Sequence, residues 1–388
     1  MTTTHDRAPE TALIDVPAGL AGVAAAETRL GDVRGREGFF HYRQYSAIDL
    51  ARHRSLEDVW FLLVEGELPT PAQSEAFADE VAAARVVPDE VARVLPAIAA
   101  AGAGRALLPR LRTALSLLAS VEDMQPVWGT DPAFHRRDAV RIAAITPTVL
   151  AALHRLRQGL DPVPPIDGVS AAGLWLYLLS GSRADARDVE ALDRYLIATV
   201  DHGFNASTFT ARVAASAGSD VVSAVCGAIG TFLGPLHGGA PDRALDALDD
   251  IGSRERIGPW VRARIEAGDR IMGFGHPVYR TEDPRAAMLR EMALTRGGEL
   301  AEFAADVERQ VLTLLAEIKP DRPLHTNVEF WAGVVMEQCG LSRDLFTPTF
   351  TVSRVIGWTA NVLEQAQGTK IIRPSARYVG PPAPQPVP

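Results

Sequence analysis

Apolar residues recur along most of this chain at three- and four-residue spacings, the period of a helix with one buried face. The pattern predicts helices over Leu56 to Glu65, Glu75 to Ala84, Glu90 to Ala101, Leu107 to Val121, Arg137 to Leu156, Asp167 to Leu179, Ala186 to Asp201 and Ser207 to Ala217. Ser55 stands before the first of these with Asp58 three positions on, and Gly66 and Pro69 close it. Pro147, inside the long Arg137 to Leu156 pattern, predicts a kink or a break. Val221 to Leu233 is apolar on every side, as in a helix buried within a large core. Asp242 to Asp250, Ile257 to Ala267, Asp283 to Met292, Gly298 to Ile318 and Asn327 to Gln338 continue the helical pattern with more charge, and Phe350 to Gln365 is again long and apolar. Strand-like alternation is confined to Glu27 to Val33 and Phe39 to Tyr42, around the turn Arg34-Gly35-Arg36-Glu37-Gly38. The expected class is all-α with one small β-hairpin near the start.

Length and composition set the scale of the fold. With 388 residues, 47% of them hydrophobic, and a mean hydropathy of +0.03, the chain suffices for a large core and about two domains. The change from buried to charged helices near Leu236 places the boundary there. A large domain, 1–236, would receive residues 342–388 back, a small domain would span 237–341, and the proline-rich end, 380–388, would be a frayed extended tail. Net charge of −9 and a pI near 5.5 argue against a nucleic-acid or membrane-surface partner. Cys226 and Cys339 sit in apolar segments without ligand-like spacing, as buried free thiols do. Met1 to Pro17 carries Asp6, Glu10 and Asp15 and no apolar run, and the longest uncharged apolar run is too short for a bilayer. The expected location is the cytoplasm.

The candidate chemistry lies in four glycine- or proline-bounded places: Asp201-His202-Gly203-Phe204-Asn205-Ala206-Ser207, Gly234-Pro235-Leu236-His237-Gly238-Gly239-Ala240, Gly273-Phe274-Gly275-His276-Pro277 and Asn327-Val328-Glu329-Phe330. Glycine beside His237 lets another molecule approach the ring closely. Arg280, Arg285, Arg354 and Arg373 surround these segments, and arginine suits paired hydrogen bonds to carboxylate or phosphate. Arg354 stands among apolar neighbours, where a guanidinium usually meets a carboxylate. A plain helix-to-helix turn is the structural alternative at His237, and His41, His53, His135 and His154 read as core or capping residues. Three histidines with Glu329 also raise a metal site, but no His-x-His or His-x-x-x-His pair occurs among them, and neighbouring arginines oppose a dication. Proton transfer fits better: neutral histidines donate to oxygens that gain negative charge, and a carboxylate takes a proton from carbon. Several arginines imply a substrate with at least two carboxylates.

At these residues the sequence resembles the citrate synthase family. The likeness rests on Gly19-Leu20-Ala21-Gly22-Val23, Glu27-Thr28, Gly66-Glu67-Leu68-Pro69-Thr70, Asp201-His202 through Thr208-Phe209, Gly-Pro-Leu-His-Gly-Gly-Ala at 234–240 and Gly-Phe-Gly-His-Pro-Val-Tyr-Arg at 273–280. The resemblance implies a mostly helical homodimer with its active site in a cleft between a large and a small domain. It implies that His202, His276, Arg285 and Arg354 bind oxaloacetate, with Arg373 supplied across the dimer interface. His237 would hydrogen-bond the thioester oxygen of acetyl-CoA, His276 would polarise the ketone, and Glu329 would remove the methyl proton. Arg280 would contact CoA phosphate, and Leu236, Arg270, Ile271, Gly273, Phe274, Gly275 and Asn327 would line the CoA path. No metal or redox cofactor is implied. The sequence departs from the family pattern at Glu329, where aspartate usually follows Asn-Val. A 2-methylcitrate synthase using propionyl-CoA, a CoA-thioester hydrolase or lyase, and a catalytically weak paralogue are the alternatives.

Overall fold

A computed structural model describes residues 13–387 except 103, 105, 236, 239, 240, 270, 277, 319 and 321–323, with the backbone alone at 241–244. The chain opens with an antiparallel meander, β1 (Gly31–Arg34), β2 (Phe39–Tyr42) and β3 (Tyr45–Ser46), in that order. Gly31 faces Tyr42 across the first pairing, and His41 faces Ser46 across the second. Ser46 caps α1 (Ala47–His53), and Ser55 caps α2 (Leu56–Glu65), each accepting from the amide three residues on. A reciprocal Thr70–Gln73 capping box opens α3 (Pro71–Ala83). There follow α4 (Asp89–Ala92), α5 (Leu95–Ala100), α6 (Leu108–Val121), α7 (Pro132–Arg157), α8 (Ala171–Ser180), α9 (Ala186–Thr199), α10 (Ala206–Ser216) and α11 (Val221–Phe232). The remainder is α12 (Pro241–Ile251), α13 (Ile257–Glu266), α14 (Pro284–Arg296), α15 (Glu299–Ile318), α16 (Val328–Gln338) and α17 (Phe346–Ala366).

The all-α expectation holds, with three differences of detail. The meander has a third strand, and β1 starts at Gly31 rather than Glu27. Backbone at 27–29 is committed elsewhere: the Arg29 amide donates to Glu364 and the Glu27 carbonyl accepts from Arg212. The helix expected over Glu90 to Ala101 is two, because Pro96 has no N–H to continue the ladder and instead sits in the first turn of α5. Pro147 causes no break, and α7 runs unbroken from Pro132 to Arg157. Packing against α17, α8, α5 and α6 holds it together against the roughly 3 kcal/mol that an interior proline costs. By length and apolarity α7 could cross a membrane, but 83% of its most apolar window is buried inside the protein, as in a core helix.

Helix α17 threads the main core, against α7, α10, α9 and α11. It approaches a neighbour closely at Gly357, where a Cβ would lie 2.1 Å from the Val200 carbonyl oxygen. Helices α12 to α16 pack mainly on one another, α12 and α14 on α16 and α13 on α15, and meet the rest through α1, α9 and α17. The four largest buried side chains, Trp60, Trp175, Trp331 and Trp358, are shared between these groups.

Candidate active site

The first corner forms where α11 ends. Gly238 returns its amide to the Phe232 carbonyl at 3.1 Å, and a Cβ there would lie 2.5 Å from that oxygen, so glycine is required. The turn sets His237 against the N-terminus of α10. Ser207 donates its backbone N–H to His237 Nε2 at 3.2 Å and places its hydroxyl 2.8 Å from the same atom. A backbone N–H can only donate, so Nε2 accepts and the neutral ring carries its proton on Nδ1. Burial, with Arg354 beside it, lowers the ring pKa to about 4. Trp358 Nε1 donates to the Ser207 hydroxyl at 3.1 Å, which fixes it from the α17 side.

The second corner gathers cations and imidazoles. His276 Nδ1 accepts from the amides of Val278 at 3.0 Å and Tyr279 at 3.1 Å, so its proton lies on Nε2. That Nε2–H confronts Arg285 NH2 at 3.3 Å, two donors facing one gap. An oxygen acceptor between them would satisfy both. Burial, then Arg285, lowers the His276 pKa to about 4. His202 Nε2 lies 3.0 Å from the Tyr279 hydroxyl, and burial, then Arg285, keeps its ring neutral, well below the ordinary histidine value. The two imidazoles meet edge to face at 5.6 Å, and Phe40 of β2 closes the far side of His202.

One buried acid grips Arg285, and another acts on Arg354 through its charge. Asp283 grips Arg285 with both oxygens, at 3.0 Å to Nε and 2.8 Å to NH2, and caps α14 by accepting from the Arg285 amide. Burial opposes the Arg285 charge, but Asp283 outweighs it and holds the guanidinium above its usual pKa. Arg354, in α17, donates Nε to the Thr199 carbonyl at 2.9 Å and lies over the Phe350 ring. Burial lowers its pKa, and the charge of Asp201 acts in the opposite sense. Asp201 itself is pushed up to about 6 by burial, with Arg354 opposing.

The third part is a two-loop zipper. Gly275 donates to the His325 carbonyl at 2.7 Å, and Asn327 donates its amide to the Gly273 carbonyl at 2.9 Å, with Phe274 bridged to Thr326. The Asn327 side chain donates to the Gly275 carbonyl at 2.9 Å and accepts from the Glu329 amide at 3.1 Å, capping α16. Gly273 has φ +87°, and a Cβ on it would lie 3.0 Å from Phe330. Glu329 is thereby half-buried in the first turn of α16, where the helix N-terminus favours a carboxylate. Asp283 accepts from the Val328 amide at 3.2 Å, tying α16 to Arg285.

His202, His276 and Arg285 therefore form one cluster, with Arg354 in its field, and Gly273, Phe274, Gly275 and Asn327 form the zipper that joins Glu329 to it. Ile271 is buried at the root of that loop, whereas Arg280 is exposed. Arg373 lies exposed in the segment after α17, and no described contact joins it to the cluster. Leu236 and Arg270 lie outside the described residues. Ser207, Tyr279 and Asp283 were assigned no role from sequence; only the Asp-Pro step before α14, a helix-cap signature, marks one of them. His41, His135 and His154 bond to local partners, as core or capping residues do.

The chain matches the family described as citrate synthase, C-terminal domain, over residues 19–375. A citrate synthase of Haloferax volcanii is 40% identical over 367 residues, 93% of this chain and 95% of that protein. A 2-methylcitrate synthase of Mycobacterium tuberculosis is 36% identical over 374 residues, 94% of this chain and 91% of that protein. The fold also matches a citrate synthase of Thermoplasma acidophilum solved as a ternary complex with carboxymethyl coenzyme A and oxaloacetate. That match has a TM-score of 0.84 and 26% identity, and it covers 95% of this chain and 97% of that one.

Proposed function

The chain belongs to the citrate synthase family, and we propose from that membership that it condenses acetyl-CoA with oxaloacetate and water to give citrate and CoA. It is an acyltransferase that converts the acyl group to alkyl on transfer. The observation that carries the reading is the pair of neutral imidazoles whose acceptor nitrogens are both occupied by backbone amides. Each is left with one N–H to offer: His237 through Nδ1 to the thioester oxygen, and His276 through Nε2 to the ketone oxygen of oxaloacetate. Donors fixed in a buried site stabilise developing oxyanions by about 10²–10³ in rate each. Glu329 takes the methyl proton, and the resulting enol carbon attacks the polarised ketone. Citryl-CoA forms, and water then cleaves the thioester to release citrate and CoA. His202, Arg285 and Arg354 hold the two carboxylates of oxaloacetate, and Arg280 meets CoA phosphate. Side chains supply every step, so the reading calls for no metal or redox cofactor.

Residues 237–341 are read as a small domain closing over the cleft, since an enol must be kept from water until it reacts. The exposed position of Arg373, with no described contact to its own cluster, supports a homodimer in which each chain donates Arg373 to its partner. Buried free thiols at Cys339 and, in part, Cys226 fit a reducing compartment such as the cytoplasm.

The similarity to a 2-methylcitrate synthase favours propionyl-CoA as a second acyl donor. One methylene is discriminated by only about 1–3 kcal/mol. Thiol release from acetyl-CoA and propionyl-CoA, each with and without oxaloacetate, tests both readings. Release that requires oxaloacetate supports condensation, and the ratio of kcat/KM values selects the donor. Release without oxaloacetate would instead indicate a hydrolase, and silence with both donors a disabled paralogue.

A further inference from the structure

The turn between β1 and β2 reaches the segment that carries His276 and Tyr279 toward Arg285. The Gly35 carbonyl accepts from the Arg280 amide at 2.9 Å. A Cβ at Gly35 would lie 2.2 Å from the Val278 carbonyl oxygen, and one at Gly38 would lie 2.8 Å from Thr281 Oγ1. Gly38 also has φ +62°, so both contacts depend on glycine. The strands behind this turn are fixed to the other half of the site. Tyr42 donates its hydroxyl to the carbonyls of Ile197 at 2.9 Å and Asp201 at 3.1 Å. Phe40 packs on the His202 ring and lies under Arg285, and Val33 closes on Gly203. The meander thus spans from the backbone that sets His202 to the backbone that sets His276.

We propose that two glycines at the tip of this meander, Gly35 and Gly38, form a positioning latch for the dicarboxylate site. Through its carbonyl, Gly35 holds segment 278–280 in the register at which Tyr279 reaches His202 and His276 faces Arg285. Gly35 touches no substrate atom, so it is a positioning residue and acts through the Arg280 backbone. The role of the site rests on the condensation reading; the latch geometry does not.

Gly35→Ala drives a methyl group into the Val278 carbonyl and lifts the tip. The expected result is a rise of about tenfold in KM for oxaloacetate, the scale of one lost hydrogen bond, with a fall in kcat as the Val278 and Tyr279 amides loosen from His276. Amide hydrogen exchange in the 278–282 peptide should become faster while Tm stays near the parent's. Glu37→Ala, exposed in the same turn, should leave all four readouts unchanged. Should Gly35→Ala not fold, Gly38→Ala strains the neighbouring contact, against the Thr281 side chain instead of a backbone carbonyl, and a smaller rise in both KM and exchange is expected. A folded Gly35→Ala with parental KM and parental exchange overturns the latch. So does a rise in KM for acetyl-CoA alone, because the turn would then serve Arg280 and not the dicarboxylate site. Failure of the parent to need oxaloacetate would sink the condensation reading, while exchange at 278–282 would still decide the latch.

Discussion

Ser207 presents both its backbone N–H and its hydroxyl to one ring nitrogen of His237, at 3.2 and 2.8 Å. The pair fixes the tautomer with one obligatory donor and adds a second group that Trp358 orients. Removing the two partners should therefore have unequal effects. Ser207→Ala keeps the amide and loses the hydroxyl, so kcat should fall about fivefold to tenfold, the worth of one neutral hydrogen bond. His237→Ala removes the proposed thioester donor and should lower kcat by about 10²–10³ with KM for oxaloacetate little changed. Steady-state thiol release checks both, and equal losses would contradict the assignment.

Asp283 holds Arg285 by two oxygens in a site where both side chains are almost fully buried. Asp283→Asn leaves that guanidinium without its counter-charge. Breaking a buried ion pair from one side costs about 3–5 kcal/mol, so the urea midpoint should drop and KM for oxaloacetate should rise. An unchanged midpoint would show that solvent already shares the pair.

Glu329 lies in the first turn of α16 with its amide capped by Asn327. Glu329→Gln should lower kcat by about 10²–10⁴, the usual contribution of a positioned base. Glu329→Asp withdraws the carboxylate by one methylene, and a misplacement of about 1 Å should cost on the order of a hundredfold if the loop is built for glutamate. A faster Asp variant would show that it is not.

Both His237 and His276 have pKa values near 4 in the folded protein, below the 6.5 of an ordinary histidine. Between those values the unfolded chain binds more protons than the native one. Their contribution to stability is thus complete above about pH 6.5 and is lost as pH falls toward 4. Tm measured from pH 7 to pH 4 should fall less steeply in His276→Asn than in the parent. Parallel curves would mean that the ring titrates in the folded protein as it does in the unfolded chain.

Asp193, on α9, behaves in the opposite sense. Its Oδ1 is sealed from solvent with no hydrogen-bond partner among the described residues, and burial, with Glu57 nearby, pushes its pKa up to about 8. Folding takes up a proton there, so stability is lost as pH rises from about 4 through 8. Asp193→Asn should raise Tm at pH 8 and lose that advantage near pH 4. No gain at pH 8 would place a counter-ion beside the carboxylate.

Local chemistry was legible in the sequence where it is self-contained. Ser55 and Gly66 bound α2 because caps depend only on neighbouring residues. His237 and His276 stood out because glycine beside an imidazole is a local signal. What escaped notice depends on distant partners. Ser207 gains its role from His237, 30 residues on, and from Trp358 on another helix, while Asp283 gains part of its role from Val328. Pro147 marks no break for the same reason, since its helix is held by neighbours that periodicity does not name. Arg354 was expected to meet a carboxylate, and its fixed partner is the Thr199 carbonyl, with Asp201 acting through its charge.

The zipper between Gly273-Phe274-Gly275 and His325-Thr326-Asn327 limits how the catalyst can evolve. Asn327 bonds to the loop that carries His276 and caps the helix that carries Glu329, so neither can be displaced without carrying the other. A single substitution that shifts one loop would also move the Glu329 carboxylate. Selection for bulkier acyl donors should therefore recover paired changes across the two loops, or changes outside both.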